Sequence, residues 1–406
     1  MGMENSEKTD RKWMQAALDL AGNGEGHVHP NPLVGAVIVK DGEVIGSGWH
    51  EYCGGLHAER NALKDCRKRG NDPQGATIYV TLEPCCHYGK TPPCTEAIIE
   101  NRLDRVVFGA WDPNPLVSGK GIQILRDAGI ETEGPVMEEE CLAKNKIFFH
   151  YITRKMPYVI MKYAMTADGK IACVTGDSRW VTGESAREHT HRTRRAVTAI
   201  MAGINTVLQD DPMLNCRLED DPVNPVRIIC DSRLRIPLES RIVQTAGEIP
   251  TIVAYRRDVA DANGDEKQRL TAERAKVLEE AGIELIPVGA DSEGHTDLKE
   301  LMRILGEKKI DSILLEGGGE LNYSALRSGI VSCVQAYIAP KIVGGAAAKS
   351  PVGGAGIEKM ADCVTLSVPQ ISTFGPDILL TFDVLSSEAA KETENNGGVG
   401  CRSEQE

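Results

Sequence analysis

Residue types that bind zinc occur in two short segments of the first third of the chain. His57 and Glu59 open a predicted helix, and Cys85, Cys86 and Cys94 follow a predicted buried strand. One imidazole and two thiolates leave the fourth position of a tetrahedral zinc ion open for water. Zinc lowers the pKa of that water from ~15.7 to about 7, so hydroxide becomes available at neutral pH. Glu59 is expected to take the proton of this water and deliver it to a departing amine.

Two cysteines compete for the second thiolate position. The His-x-Glu and Pro-Cys elements resemble the zinc-dependent nucleobase deaminases, which usually continue as Pro-Cys-x-x-Cys. Here eight residues separate Cys85 from Cys94, and Cys86 is the competitor. Neighbouring side chains rarely reach one small ion, and Cys94 begins a predicted helix, where thiolate is favoured, so we assign Cys85 and Cys94. A structural zinc site is the alternative, but it would have no use for Glu59.

Other polar residues lie close to these segments in sequence. Asn31 precedes the first strand, His50 ends a hairpin, and His87 and Lys90 lie in the loop between the cysteines. Asn31 could bond an amide-like ring edge, and Lys90 could reach a phosphate or a carbonyl. Considered alone, each is more often a turn or surface residue.

Three glycines link a strand to a helix in the last third of the chain. Gly317, Gly318 and Gly319 lie between a predicted strand and a helix that starts near Glu320. Glycines allow close backbone approach, and a helix N-terminus offers amide donors to phosphate. The Gly-x-Gly-x-x-Gly fingerprint of ordinary dinucleotide sites follows no strand here, so this turn alone is a weak indication of a nucleotide site.

The order of the predicted elements positions these residues in two α/β domains. Residues 1–150 predict a three-layer domain with helices packed on a largely parallel sheet. Its elements are a helix at 11–21, a hairpin at 33–48, helices at 57–69, 94–101 and 121–129, and strands at 76–82 and 105–111.

Residues 151–385 repeat the alternation of strands and helices. The elements are strands at 157–165, 198–203, 225–231, 251–255 and 311–319, two late and antiparallel strands at 334–343 and 378–385, and a helix at 184–195. The polar tail, residues 386–406, is expected to be disordered.

Composition restricts the class of partner. The chain has 406 residues, a formal net charge of −13 and 4% aromatic residues, which argues against a nucleic-acid base editor because a polyanion would be repelled. The sequence contains no apolar run of about 18 residues or more, so no membrane-spanning helix is predicted. The N-terminus lacks a signal-peptide pattern, so we expect a cytoplasmic protein with free thiols, self-associated as a dimer or tetramer. Besides an enzyme and a nucleic-acid base editor, a third hypothesis is a scaffold protein with a structural zinc. The intact Glu59 disfavours it.

Several longer motifs resemble one known family. Residues 29–39, 81–94 and 112–121, and then 165–172, 176–182, 203–217 and 314–324, are similar to the bifunctional deaminase/reductase of riboflavin biosynthesis. The resemblance implies a cytidine-deaminase-like domain followed by a dihydrofolate-reductase-like domain. It implies hydrolytic deamination of 2,5-diamino-6-ribosylamino-4(3H)-pyrimidinone 5′-phosphate. NADPH-dependent reduction of the ribosyl group would then give 5-amino-6-(5-phosphoribitylamino)uracil.

The same resemblance implies roles in the deaminase domain. His57, Cys85 and Cys94 would hold one zinc ion per chain, and Glu59 would be the proton donor. Asn31, His50 and Lys90 would contact the substrate. The sequence departs from the family at Cys86, where serine is usual.

In the reductase domain the resemblance implies a cofactor site and a substrate site. The residues implied for the NADPH site are Ala164, Trp180, Thr206, Asp210, Ser232, Gly318, Gly319, Glu320, Leu321, Asn322, Tyr323 and Ser324. The residues implied for the substrate are Ser178, Arg194, Leu214, Arg217 and Glu316. Arg194 and Arg217 are expected to bind the 5′-phosphate through bidentate bonds. Considered without the family, Arg187, His191 and Arg194 form only a solvated helix face. Asp168 and Glu316 are candidate proton donors that the sequence does not separate.

Overall fold

The chain divides into two compact units. The computed structural model describes residues 2–89, 91–114, 117–261 and 263–385, so Lys90 and the predicted tail, 386–406, lie outside the described residues. The first unit is Met1–Met156 and the second is Pro157–Glu406. The division falls after residue 156 rather than 150 because a helix spans residue 150, and Phe148 of that helix packs in the core of the first unit.

The first unit is a five-stranded sheet with helices. Its helices are α1 (Gly2–Ala21), α2 (Ala58–Lys68), α3 (Cys94–Glu100), α4 (Lys120–Asp127), α5 (Glu138–Lys144) and α6 (Lys146–Arg154). Its strands are β1 (Gly35–Lys40), β2 (Glu43–Trp49), β3 (Thr77–Val80), β4 (Arg105–Phe108) and β5 (Glu131–Glu133). The strand order is β2-β1-β3-β4-β5. β1 is antiparallel to both neighbours and only β3, β4 and β5 are mutually parallel, so the sheet is mixed rather than largely parallel.

Two glycines of β2 let α2 lie directly on the sheet. A Cβ atom at Gly46 would lie 2.5 Å from the Ala62 carbonyl oxygen, and one at Gly48 would lie 2.5 Å from the Ala62 backbone nitrogen. Real Cβ atoms do not approach backbone that closely, so a side chain at either position would push α2 away. The glycines therefore set the height of α2, and with it the position of the residues at its start.

The second unit is a nine-stranded sheet among the described residues. Its strands are β6 (Tyr158–Thr166), β7 (Ala199–Gly203), β8 (Val226–Cys230), β9 (Thr251–Arg256), β10 (Ile283–Val288), β11 (Ser312–Leu315), β12 (Val331–Ala339), β13 (Gln370–Phe374) and β14 (Asp377–Asp383). Its helices are α7 (Glu184–Ala196), α8 (Ile204–Asp210), α9 (Arg241–Gln244), α10 (Glu266–Glu280), α11 (Leu298–Glu307) and α12 (Gly319–Arg327).

Most of this sheet is parallel. The order is β10-β9-β8-β7-β11-β6-β12-β14-β13, with parallel pairing from β10 to β12. β14 is antiparallel to β12, as was predicted for the two late strands. It is also antiparallel to β13. Carboxyl ends of parallel strands lie at one edge, where ligands of open α/β sheets bind. The loops after β6, β7, β8 and β11 therefore form one candidate binding edge.

Among the helices that the structure describes, none combines the length and apolar character needed to cross a bilayer.

Candidate active sites

The first unit brings the three predicted zinc ligands together. His57 immediately precedes α2, Cys94 is the first residue of α3, and Cys85 lies in the loop after β3. His57 Nδ1 lies 3.4 Å from the Sγ atom of each cysteine. A tetrahedral zinc with ordinary Zn–S and Zn–N bonds places such atoms about 3.5 Å apart. The donor set and its spacing therefore fit a zinc ion, with Cys86 outside this group of ligand atoms.

Hydrogen bonds orient two of these ligands. The Cys94 backbone N–H donates to Cys85 Sγ at 3.3 Å and to the Cys85 carbonyl at 3.0 Å, which closes the loop between them. Nε2 of His57 lies 3.3 Å from Thr91 Oγ1, so the ring can donate there while Nδ1 faces the thiols. A ligand histidine is ordinarily held in this way by a second partner on its other nitrogen.

A hydrogen bond between the two sulfurs shifts their pKa values in opposite directions. The hydrogen bond with Cys94 holds the pKa of Cys85 well below its ordinary value, and the same bond raises the pKa of Cys94. Burial instead raises the pKa of Cys86, which keeps that thiol protonated. When a metal binds, it takes the place of a thiol proton. A thiolate next to a second thiol is therefore electrostatically suited to a metal site.

Glu59 lies beside these ligands without joining them. It is the second residue of α2 and only 3% exposed. Burial raises its pKa, and the Cys85 thiolate adds to this shift, while His57 and Cys94 oppose it. A buried carboxyl whose pKa is raised holds a proton more readily, which suits a group that accepts and then releases a proton during a reaction.

His50 and Asn31 are in contact next to the ligands. The His50 ring meets the His57 ring edge-on, with centroids 5.4 Å apart. His50 Nδ1–H donates to the Leu56 carbonyl at 3.0 Å, so Nε2 accepts from Asn31 Nδ2 at 3.1 Å. Burial lowers the pKa of His50 and keeps the ring neutral. Two of the three predicted contacts to the deaminase substrate are thus together, and the third, Lys90, lies outside the described residues.

Sequence reasoning missed two residues that hold the cysteine loop. The buried Glu83 accepts N–H bonds from Gly119 at 2.9 Å and from Gly121 at 3.1 Å, so it caps the start of α4. Arg60 donates to the Pro93 carbonyl at 2.7 Å, directly before Cys94. An acid at the end of a buried strand, two residues before Cys85, was the available signal for Glu83.

The second unit gathers most of the predicted cofactor residues at its carboxyl edge. Ala164 is on β6, Thr206 and Asp210 are on α8, and Ser232 follows β8. Gly318 precedes α12, and a Cβ atom there would meet nothing within 4 Å. The open backbone at the start of this helix, whose first N–H groups have no intrahelical partner, fits the phosphates of a dinucleotide.

Two predicted cofactor residues near the start of α12 form hydrogen bonds with the loop at residues 350–356. Asn322 Nδ2 donates to the Pro351 carbonyl at 2.9 Å, and the Tyr323 hydroxyl donates to the Gly356 carbonyl at 3.0 Å. Both side chains are buried. They hold the loop 350–356 against α12, while the Asn322 Oδ1 atom is buried without a hydrogen-bond partner.

Trp180 and Ser178 lie in the exposed loop after β6. The Arg187 guanidinium lies 4.5 Å from the centre of the Trp180 ring, and Lys341 Nζ donates to the Trp180 carbonyl at 2.7 Å. The indole therefore has a cation on one face, while 61% of the residue is exposed and can stack on a ligand ring.

A largely buried ion pair engages one of the two arginines that were predicted to bind the phosphate. Arg194 donates to both oxygens of Glu316, at 2.7 and 3.0 Å, and its third nitrogen donates to the Asn215 carbonyl at 2.8 Å. Three of the five N–H donors of the guanidinium are therefore used, and the edge formed by Nε and Nη2 is taken by Glu316 rather than open to the 5′-phosphate. Arg217 is exposed close by and remains the phosphate candidate.

Lys162 is a further charged residue at this site that sequence reasoning missed. Burial lowers its pKa, whereas Glu316 acts to raise it. Although burial opposes it, the Arg194 and Lys162 cations hold the pKa of Glu316 at about 2. Lys162 lies inside an otherwise apolar strand segment, and that pattern does not reveal a residue of a site.

Both units match known families. Residues 7–110 match the cytidine and deoxycytidylate deaminase zinc-binding region, and residues 157–380 match the RibD C-terminal domain. The riboflavin biosynthesis protein RibD of Actinobacillus pleuropneumoniae is 50% identical over 378 residues, which cover 93% of this chain and 96% of that protein. The RibD of Aquifex aeolicus is 40% identical, covering 92% and 98%.

Solved structures give the same result over most of the chain. A diaminohydroxyphosphoribosylaminopyrimidine deaminase/5-amino-6-(5-phosphoribosylamino)uracil reductase from Thermotoga maritima is 35% identical with a TM-score of 0.81. It covers 94% of this chain, which covers 100% of it. RibD of Acinetobacter baumannii is 34% identical with a TM-score of 0.79 and the same coverage. The predicted fold class, a cytidine-deaminase-like domain followed by a reductase domain, is confirmed.

Proposed function

On the premise that this chain belongs to the RibD family of riboflavin biosynthesis proteins, we propose which of its residues perform the two reactions of that family. The chain is a bifunctional deaminase and reductase. The observation that carries the assignment is the spacing of His57, Cys85 and Cys94, whose ligand atoms lie within 4.8 Å of one another beside the buried Glu59.

The deaminase site removes an exocyclic amino group from the diaminopyrimidinone 5′-phosphate. Zinc, when bound by His57, Cys85 and Cys94, supplies a Lewis acid that makes water nucleophilic. Glu59 takes a proton from the attacking water and delivers it to the amine, which leaves as ammonia while the ring carbon gains an oxygen. The pair of Asn31 and the neutral His50 orients the ring edge, and Lys90 is the proposed contact to the phosphate.

The reductase site then reduces the ribosyl group of the deaminated product. A bound nicotinamide would supply hydride to C1′ of the ring-opened, nitrogen-protonated Schiff base, which becomes an amine, and the site has to align the two carbons and exclude water. Arg217 is the proposed contact to the 5′-phosphate. Arg194 acts through Glu316, because it holds that carboxylate toward Lys162. Ser178 and Leu214 are proposed to complete the substrate site.

Two arginines after β8 favour NADPH over NADH. Arg233 and Arg235 are exposed, while Leu234 and Ile236 are buried, so both guanidinium groups are presented to solvent. The buried Asp231 accepts the Ile236 N–H at 2.8 Å and fixes this loop. β8 is two strands from β11, about 10 Å along the sheet edge. A dinucleotide whose pyrophosphate lies at α12 can therefore bring its adenosine 2′-phosphate to these arginines, the residue type that accommodates this group.

Replacing both arginines is expected to weaken 2′,5′-ADP binding by at least about tenfold, because charge-assisted bonds to the 2′-phosphate are lost. Binding of 5′-AMP, measured by the same calorimetric titration, should change less than twofold. Arg327→Ala on α12 is the matched control. Equal weakening of both nucleotides would contradict the assignment.

The remaining proposals concern assembly and location. β13 is the last strand in the sheet order, and 67% of Ile371 on it is exposed, which supports self-association of the chain through this edge as a dimer or tetramer. The proposed compartment is the cytoplasm, where reduced thiols are available as zinc ligands.

A coupled assay tests the proposed function. Purified protein is given the diaminopyrimidinone phosphate and NADPH, and ammonia release and cofactor absorbance are followed together. We expect about one ammonia per NADPH oxidised, with a lag in oxidation because reduction acts on the deaminated product. NADPH oxidation without ammonia release would contradict this order.

A further inference from the structure

The loop that carries Arg217 is tied to α7 by three hydrogen bonds. We call residues 211–217, between α8 and β8, the arginine loop. The Asn215 carbonyl accepts from Arg194 at 2.8 Å, and the Cys216 thiol donates to the His191 carbonyl at 3.5 Å. The Arg217 backbone N–H donates to His191 Nδ1 at 3.2 Å. Only the last of these bonds reaches Arg217 itself.

The two residues of α7 that make these bonds lie on one face of the helix. His191 and Arg194 are three residues apart, which brings their side chains side by side on a helix surface. Arg194 is fixed in turn by its ion pair with Glu316. The helix thus supports the arginine loop at one point through a charged side chain and at the other through a neutral ring.

The protonation state of His191 matches an acceptor role. Burial, together with the Arg194 and Arg217 cations, lowers its pKa to about 4, while Glu316 opposes the shift and Lys162 adds to it. The ring is therefore neutral at physiological pH. Nδ1 accepts the Arg217 N–H, so the proton of the ring is on Nε2.

We propose that His191 is a positioning residue of the reductase, which holds Arg217 through Nδ1 in the place where its guanidinium binds the 5′-phosphate of the substrate. This inference rests on the proposed role of Arg217. The charge of the site would otherwise favour an open loop, because Arg217 is close enough to Arg194 for that cation to lower its pKa, after the effect of burial. The hydrogen bond to a neutral ring holds Arg217 near Arg194 without adding a further positive charge to the cations already there.

Two isosteric replacements separate the nitrogens of the ring. In His191→Asn the amide oxygen can occupy the position of Nδ1 and accept the Arg217 N–H, whereas His191→Gln places its amide group at the position of Nε2. Loss of one neutral hydrogen bond is expected to raise the reductase KM for the phosphorylated substrate about fivefold in the glutamine variant. The asparagine variant should stay within twofold of the wild type, and kcat should be unchanged in both because the phosphate is held equally before and during reduction.

A merely structural role of His191 would not change how the reductase KM depends on the 5′-phosphate of the substrate. That dependence is therefore the decisive readout. The KM for the same pyrimidine without its 5′-phosphate, and the KM for NADPH, should be equal in wild type and His191→Gln. Arg192→Ala, an exposed position on the same helix, is the matched control and should leave each KM unchanged.

The outcomes separate this inference from the assignment on which it rests. If Arg217→Ala raises the KM for the phosphorylated substrate but His191→Gln does not, the positioning role is wrong and the role of Arg217 stands. If Arg217→Ala leaves that KM unchanged, both are wrong. An equal rise in KM with and without the phosphate in His191→Gln would overturn the inference, because it would indicate a general disturbance of the fold.

Discussion

Replacing Glu59 by glutamine is expected to slow deamination by about 10²–10⁴-fold and to leave the zinc in place. Glutamine keeps the size and hydrogen-bonding shape of the side chain but cannot take a proton from water at neutral pH. Glu59 is buried beside His57 and Cys94 without being one of the three ligands, so the metal site does not need its charge. Ammonia release and metal content, measured on the same preparation, check both parts of the expectation.

The second unit provides an internal control for this variant. Given the deaminated pyrimidine and NADPH, Glu59→Gln should oxidise the cofactor at the wild-type rate, because Glu59 belongs to the other compact unit. Glu100→Gln, at an exposed position on α3, is the matched substitution and should leave deamination unchanged. Deamination at the normal rate by Glu59→Gln would show that another group transfers the proton from water to the leaving amine.

The largest expected loss in the second unit follows from replacing Glu316 by alanine. That change leaves the buried Arg194 and the half-buried Lys162 without their shared counter-charge. Removing one partner of a buried ion pair costs about 3–5 kcal/mol of unfolding free energy. We expect calorimetry to show lower stability and the assay to show loss of reduction, with ammonia release retained. Glu188→Ala, which breaks the exposed pair with Arg192, is the control and should cost less than about 1 kcal/mol.

The same pair gives a pH dependence with a definite sign. Arg194 and Lys162, against the effect of burial, hold the folded pKa of Glu316 at about 2, below its ordinary value of 4.5. A depressed carboxyl pKa stabilises the folded state above the unfolded value, and that stabilisation is lost as the pH falls through the folded pKa. Wild type should therefore lose stability between about pH 4.5 and 2 more steeply than Glu316→Ala. Parallel curves would contradict the charge arrangement.

The grouping of the three proposed metal ligands could be predicted from the sequence because their chemistry is local. His57 and Glu59 are two residues apart, and Cys85 and Cys94 frame one short loop, so ligand type and spacing carry the information. Choosing Cys94 over Cys86 required two local arguments, that adjacent side chains rarely converge on one ion and that Cys94 begins a helix, where thiolate is favoured. The contacts that orient these ligands, such as Arg60 to the Pro93 carbonyl, depend on how α2 packs and have no local signal.

The reductase site could be predicted less well because its charges meet across long separations in sequence. Arg194 and Glu316 are 122 residues apart, so their pairing follows from the order of β7, β11 and β6 and not from any motif. Because the sequence does not reveal the pairing with Glu316, Arg194 was expected to bind the 5′-phosphate. Lys162 was missed for the opposite reason, since a single lysine within an apolar strand resembles a surface position. Tertiary packing decided all three roles.

The central claim is that His57, Cys85 and Cys94 hold the zinc ion on which deamination depends. Its most direct test is zinc content measured beside ammonia release, before and after treatment with a strong chelator. The account predicts about one zinc per chain, loss of ammonia release when the metal is removed, and recovery when zinc is returned, with NADPH oxidation of the deaminated substrate unaffected throughout. Metal-free protein that releases ammonia at the full rate would contradict it.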